Sequence, residues 1–138
     1  VENKSVVQSK IELLQDYLAF LEESKNYKES EFIESMLIHG SVERYLHLSI
    51  EATIDIGNHI ISKNGWGSVH WYQDIAAIFQ EKGYIDSDLC ALWIKMIRFR
   101  NLLVHEYAKI DKKEVYNVLQ NHLTDIVQIQ KMFVERFL

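Results

Sequence analysis

Ser30-Glu-Phe-Ile-Glu-Ser-Met-Leu-Ile-His-Gly-Ser-Val-Glu-Arg-Tyr-Leu-His-Leu-Ser-Ile-Glu-Ala-Thr-Ile-Asp-Ile-Gly-Asn-His-Ile-Ile-Ser62 is the stretch whose reading decides the fold. It contains no proline, and neither does the rest of the chain, so nothing forces a helix to break. One apolar row includes Phe32, Ile33, Met36, Leu37, Leu46, Ile50, Ile54 and Ile61, and a second carries Tyr45, Leu48, Ala52 and Ile56. A helix that is apolar on more than one side has several neighbours, so this one is expected at the centre of the protein. His39-Gly40-Ser41 either bends it or starts it afresh.

Shorter helical patterns flank this stretch. Val7, Ile11, Leu14, Leu18 and Leu21 recur in steps of four and three, which predicts an amphipathic first helix. Asn64-Gly-Trp-Gly67 is a loop, followed by a short helix over about 71–82 that Gly83 ends. Asp86 or Ser87 caps the next helix. Asp111-Lys-Lys-Glu114 has capping-box spacing and opens a last helix with Val115, Leu119, His122, Ile126, Ile129 and Phe133 on one stripe. No strand pattern or repeat intervenes. The expected fold is all-α, an up-and-down bundle of four long helices plus one short helix, formed as a single domain over residues 1–138.

Composition narrows the function. A chain of 138 residues buries a sizeable core. No apolar run approaches the roughly 20 residues of a membrane span, and the acidic, polar start does not read as a signal peptide. The single cysteine, Cys90, allows no intrachain disulfide, fits a cytoplasmic protein and reads as a small buried hydrophobe. Twenty acids against 15 bases argue against a broad basic face for nucleic acid, though not against a small basic cleft.

The chemistry concentrates in Arg98-Phe-Arg-Asn-Leu-Leu-Val-His-Glu-Tyr107, which holds two of the four arginines. Polar groups set against an apolar helix need partners or a task. At about 100° per residue, Arg100 and Tyr107 share the stripe of Leu89, Trp93, Met96 and Leu103, while Arg98, Asn101 and His105 form another with Ile94. Arg100 and His105 stand about 140° apart, so either the helix loosens near Val104 or a second copy completes the site. A homodimer is expected on that ground. Arginine plus histidine suits transfer at a phosphodiester: imidazole moves a proton near neutral pH, and the guanidinium fork stabilises phosphoryl charge. Asn101 holds the imidazole tautomer or contacts the phosphate. The plainer alternative pairs Arg100 with Glu43, Glu51 or Asp55 and leaves His105 as a helix-ending residue set against the dipole.

Arg100-Asn-Leu-Leu-Val-His105-Glu-Tyr107 resembles the Arg-x4-His-x-Tyr signature of HepT toxins in the HEPN superfamily. Ser41-Val-Glu-Arg-Tyr-Leu46, Ile50-Glu-Ala52 and Asp55-Ile-Gly-Asn-His59 resemble that family's second helix, and Tyr84-Ile-Asp86 and Asp111 also match in place. The resemblance implies a dimeric helical bundle with ribonuclease activity that needs no metal or other cofactor. It also implies a toxin role and an MntA-type nucleotidyltransferase antitoxin as partner. By that resemblance Arg100 and His105 are catalytic, Asn101 supports them, and Tyr107 is the residue that receives AMP. A reading from another class is a non-catalytic helical module that binds a nucleotidyltransferase or a nucleotide.

Other features carry weaker readings. His47, Glu51, Asp55 and His59 recur every four residues, as in helical zinc sites, but the row drifts around the helix and nothing completes it. Solvated i,i+4 pairs are the simpler account, and no metal is expected. Glu51 and Asp55 alternatively face the motif helix and hold Arg98 or Arg100. His122 reads as a satisfied core or interface histidine. Trp66, Trp71 and Tyr72 read as packing at a bundle end, with base stacking as the alternative.

Overall fold

The computed structural model describes residues 5–106 and 108–138. The described residues form helices only: α1 (Val6–Ser24), α2 (Glu29–Glu34), α3 (Met36–Asn64), α4 (Gln73–Glu81), α5 (Ser87–His105), α6 (Lys112–Asn121) and α7 (Leu123–Phe137). The all-α expectation holds. Two of the expected long helices are each divided in two.

The first division falls at Ser35, not at His39-Gly40-Ser41. Ser35 is extended (φ −103°, ψ 112°), and its hydroxyl accepts from the Ile38 N–H at 3.2 Å, which caps α3. Segment 39–41 stays helical, and the Ser41 hydroxyl turns back onto the Leu37 and Ile38 carbonyls. The second division falls at His122 (φ −121°, ψ 3°). Apolar periodicity hides it because Val115, Leu119, Ile126, Ile129 and Phe133 remain buried on one side of the break. His122 itself is half exposed, with Nδ1 3.1 Å from Oδ2 of the buried Asp125. Asp111 caps α6 by accepting from Lys113 N–H at 2.9 Å, one residue short of the capping-box register.

The central role of α3 is borne out: it packs against all six other helices. Around it α1, α3, α5 and α7 contact one another in a closed ring, the arrangement of a four-helix bundle. Val7, Ile11, Leu14, Leu18 and Leu21 of α1 are all buried, as their spacing predicts.

Two features of the core fix α5 against α3. Trp93 is fully buried, and its indole N–H donates to the Thr53 hydroxyl at 3.0 Å. Gly57 lies where helices meet closely: a Cβ there would stand 2.5 Å from Ile75 Cγ2 and 3.4 Å from the Trp93 ring. Close approach, not a turn, therefore demands this glycine. At the far end of the core, Trp66 packs on Phe79, Tyr84 and Phe137, which bears out its packing reading. Gly83, at φ 83°, ends α4 as predicted. Cys90 is buried, and burial pushes its thiol above the ordinary value. Among the described residues no helix is long and apolar enough to cross a membrane.

Candidate active site

The last two turns of α5 and the segment entering α4 enclose an open cleft of about 540 Å³. Its walls are His70, Trp71, Tyr72, Gln73, Arg100, Asn101, Val104 and His105. Among the described residues no carboxylate lines it, although the Arg100 guanidinium that does is paired with Glu51 behind it. One chain therefore brings Arg100, Asn101 and His105 to a common opening although they span about 140° of the helix. The cleft is wide enough to take in that arc. α5 stays helical through His105, so the loosening expected near Val104 is absent, and the two side chains reach one cleft without it.

Arg100 sits at the inner wall, its side chain 12% exposed. Its Nη2 meets Glu51 Oε1 at 2.6 Å, and Nη1 donates to Asn101 Oδ1 at 3.0 Å. Its Cζ lies 5.3 Å from the Tyr72 ring centroid, in cation–π contact. Nε is buried with no partner among the described residues. Of the three acids the sequence offers to Arg100, only Glu51 reaches it. Glu43 is taken by Lys112 of α6 at 2.7 Å, and Asp55 faces Lys10 of α1 at 3.7 Å. The ion-pair half of the plainer reading is thus correct, and it coexists with a place in the cleft.

Behind Glu51 the contact chain continues to His47 Nε2 at 3.2 Å, and from His47 Nδ1 to Arg44 Nη1 at 3.3 Å. The guanidinium can only donate, so His47 Nδ1 must accept and Nε2–H must donate to Glu51. The Arg100 hydrogen bond holds the Glu51 carboxyl below the usual carboxylate range; His47 assists and partial burial opposes. Of the regular row His47, Glu51, Asp55, His59, the first three are therefore paired with Arg44, Arg100 and Lys10. Among the described residues no three His, Cys, Asp or Glu side chains converge as a metal ion requires.

Asn101 and His105 line the cleft as their stripe suggests, with His105 exposed at the last residue of α5. Asn101 Oδ1 accepts from Arg100. Arg98 departs from the expected grouping. It lines a separate groove with Lys95, Phe99, Glu114, Val118 and His122 on the α6–α7 side. Arg98 and His105 share a phase but lie seven residues, about 10 Å, apart along the axis, so different neighbours claim them. Asp55 likewise lies in a pocket against α1, away from the motif cleft. Tyr107 lies outside the described residues.

The packing reading of Trp66, Trp71 and Tyr72 is corrected in part. Trp71 is 70% and Tyr72 46% exposed, both on the cleft, because the helix begins at Gln73 and not at Trp71. Asp74 Oδ2 accepts from the His70 and Trp71 N–H groups at 3.1 and 3.0 Å and keeps the chain in a turn there. His70 and Gln73 were not foreseen as cleft residues; only their nearness to the aromatic pair hinted at it.

A helical bundle with an arginine- and histidine-bearing cleft at the end of an Arg-x4-His helix defines a HEPN-type protein. The profile of the family described as Ribonuclease HepT-like matches residues 9–132, and the chain belongs to that family. It is 31% identical over 99 residues to the mRNA nuclease HepT of Shewanella oneidensis, covering 72% of this chain and 74% of that protein. To the tRNA nuclease HepT of Aphanizomenon flos-aquae it is 30% identical over 113 residues, with 80% and 76% covered. The fold superposes with a TM-score of 0.88 on the tri-AMPylated HEPN toxin of Shewanella oneidensis, solved in complex with its MNT antitoxin. That match has 25% identity and covers 97% of this chain and 100% of the other.

Proposed function

We propose that this protein is an endoribonuclease toxin that cleaves RNA without a metal ion, and that the α4–α5 cleft is its active site. The observation that carries the reading is the convergence of Arg100, Asn101 and His105 on one cleft. Names of nuclease relatives support the reaction class. In this reading His105 moves the proton at the ribose 2′-hydroxyl or at the leaving 5′-oxygen. Arg100, preset by Glu51, Asn101 and Tyr72, meets the phosphoryl oxygens as charge builds on them. Phosphate would compete with Glu51 and Asn101 for its donors.

The proposed partner is an MntA-type nucleotidyltransferase antitoxin, and the proposed control is AMPylation of Tyr107, two residues beyond His105. The AMPylated toxin in the Shewanella complex supports both. A nucleotide joined there would add bulk and negative charge two residues along the chain from His105, in competition with RNA phosphate. A homodimer that sets two such clefts side by side completes the proposal.

The test is cleavage of total RNA by purified protein in EDTA, wild type against His105→Ala, with circular dichroism as the folding control. Loss of about 100- to 10,000-fold in rate is expected, the usual contribution of a general acid–base. Wild-type rates in a folded variant would remove His105 from the mechanism.

A further inference from the structure

We infer that Trp71 forms a base-stacking subsite at the rim of the cleft, so that the substrate is RNA whose nucleotide next to the scissile phosphate is unpaired. The inference rests on reading the cleft as an RNA site and names what that site selects. The three aromatic residues between α3 and α4 have different duties. Trp66 is packed against Phe79, Tyr84 and Phe137. Tyr72 lies beneath the Arg100 guanidinium. Trp71 is 70% exposed, and among the described residues its ring has no packing task of that kind.

Its backbone, by contrast, is held. Asp74 takes the N–H groups of both His70 and Trp71, and Trp71 and Tyr72 carbonyls accept from Asp74 and Ile75 as α4 begins. A large apolar ring is thus presented to solvent from an anchored turn on the cleft that Arg100 and His105 also line. An indole face accepts any nucleobase, and stacking of that kind tolerates sequence. A base within a duplex has both faces covered by its neighbours, so only a splayed or single-stranded base can use the ring. Arg100 would hold the phosphate while Trp71 holds the adjoining base, each supplying what the other lacks: charge without base contact, and base contact without charge.

Binding of a 2′-O-methyl oligoadenylate, which lacks the attacking hydroxyl, separates this from the chemistry. Its affinity is compared with that of an abasic oligomer of the same backbone, by fluorescence anisotropy at fixed salt, for wild type, Trp71→Ala and Trp71→Phe. Trp71→Ala is expected to weaken the base-bearing oligomer about tenfold and leave the abasic one unchanged. Trp71→Phe should recover most of the loss, and a blunt-ended duplex of the same backbone should bind no better than the abasic chain. Equal losses on both oligomers, or none on either, would overturn the subsite while the RNA reading stands. Failure of wild type to bind any oligomer would overturn both. A changed oligomeric state in Trp71→Ala by sedimentation, with oligonucleotide affinity intact, would assign the ring to a protein contact and overturn stacking.

Discussion

Two arginines on one helix, Arg98 and Arg100, have opposite fates. Arg100 is largely enclosed, clamped by Glu51, Asn101 and the Tyr72 ring, and opens onto the cleft of His105. Arg98, about 200° around α5, is exposed in the groove toward α6 and α7. The residues are chemically identical and two positions apart. What separates them is the surface each meets: α3 and the α4 entry on one side, α6 and α7 on the other. A clamped guanidinium has paid its ordering entropy in folding, whereas an exposed one retains about 2 kcal/mol of rotamer freedom to lose on binding. Preorganisation is what an electrostatic catalyst needs.

The largest expected effect tests the clamped side. Arg100→Ala should lower the cleavage rate roughly 100- to 1,000-fold, as for removal of one oxyanion-type donor, with little recovery in Arg100→Lys because an ammonium cannot keep the planar fork. Steady-state cleavage of a defined RNA reads it; a loss of only a few-fold would put Arg100 back among structural ion pairs. A smaller effect sharpens how the clamp is built. Because Arg100 depresses the Glu51 carboxyl, their pair stabilises the fold fully above the unfolded carboxylate's range, and that contribution is lost as pH falls through the lower folded value. Glu51→Gln should therefore lower the melting temperature at neutral pH and flatten its acid-side decline. Glu51 is partly solvated, so about 1 kcal/mol or less is expected. Superimposable melting curves against pH would show that the pair adds nothing to stability. The smallest effect belongs to the open side: Arg98→Ala should leave cleavage within about twofold, as exposed substitutions generally do. A loss comparable to that of Arg100→Ala would erase the distinction between the two faces.

Much of this fold is readable from residue order because burial enforces periodicity. The rows of α1 and α3, the caps at Asp86 and Asp111 and the stop at Gly83 are local consequences of where apolar and capping groups fall. The breaks at Ser35 and His122 escaped because neither disturbs that periodicity. At Ser35 a single hydroxyl wins one N–H, and at His122 the apolar stripe runs through the kink unbroken.

The site divides along the same line. Residue order alone determined that Arg100, Asn101 and His105 stand on one helix within two turns, and the motif they form pointed to a family. It could not determine which of Glu43, Glu51 and Asp55 holds Arg100, since helical phase leaves all three on α3 and their selection depends on where Lys10 and Lys112 arrive. Nor could it place Trp71 and Tyr72 over the end of α5, or send Arg98 to the other face. Spacing constrains neighbours on one helix, about 1.5 Å of rise per residue, but contacts between helices, such as those of Glu51 with Arg100 and Glu43 with Lys112 at 49 and 69 positions apart, are set by packing. Tertiary structure therefore turned two similar arginines into one candidate catalyst and one exposed groove residue.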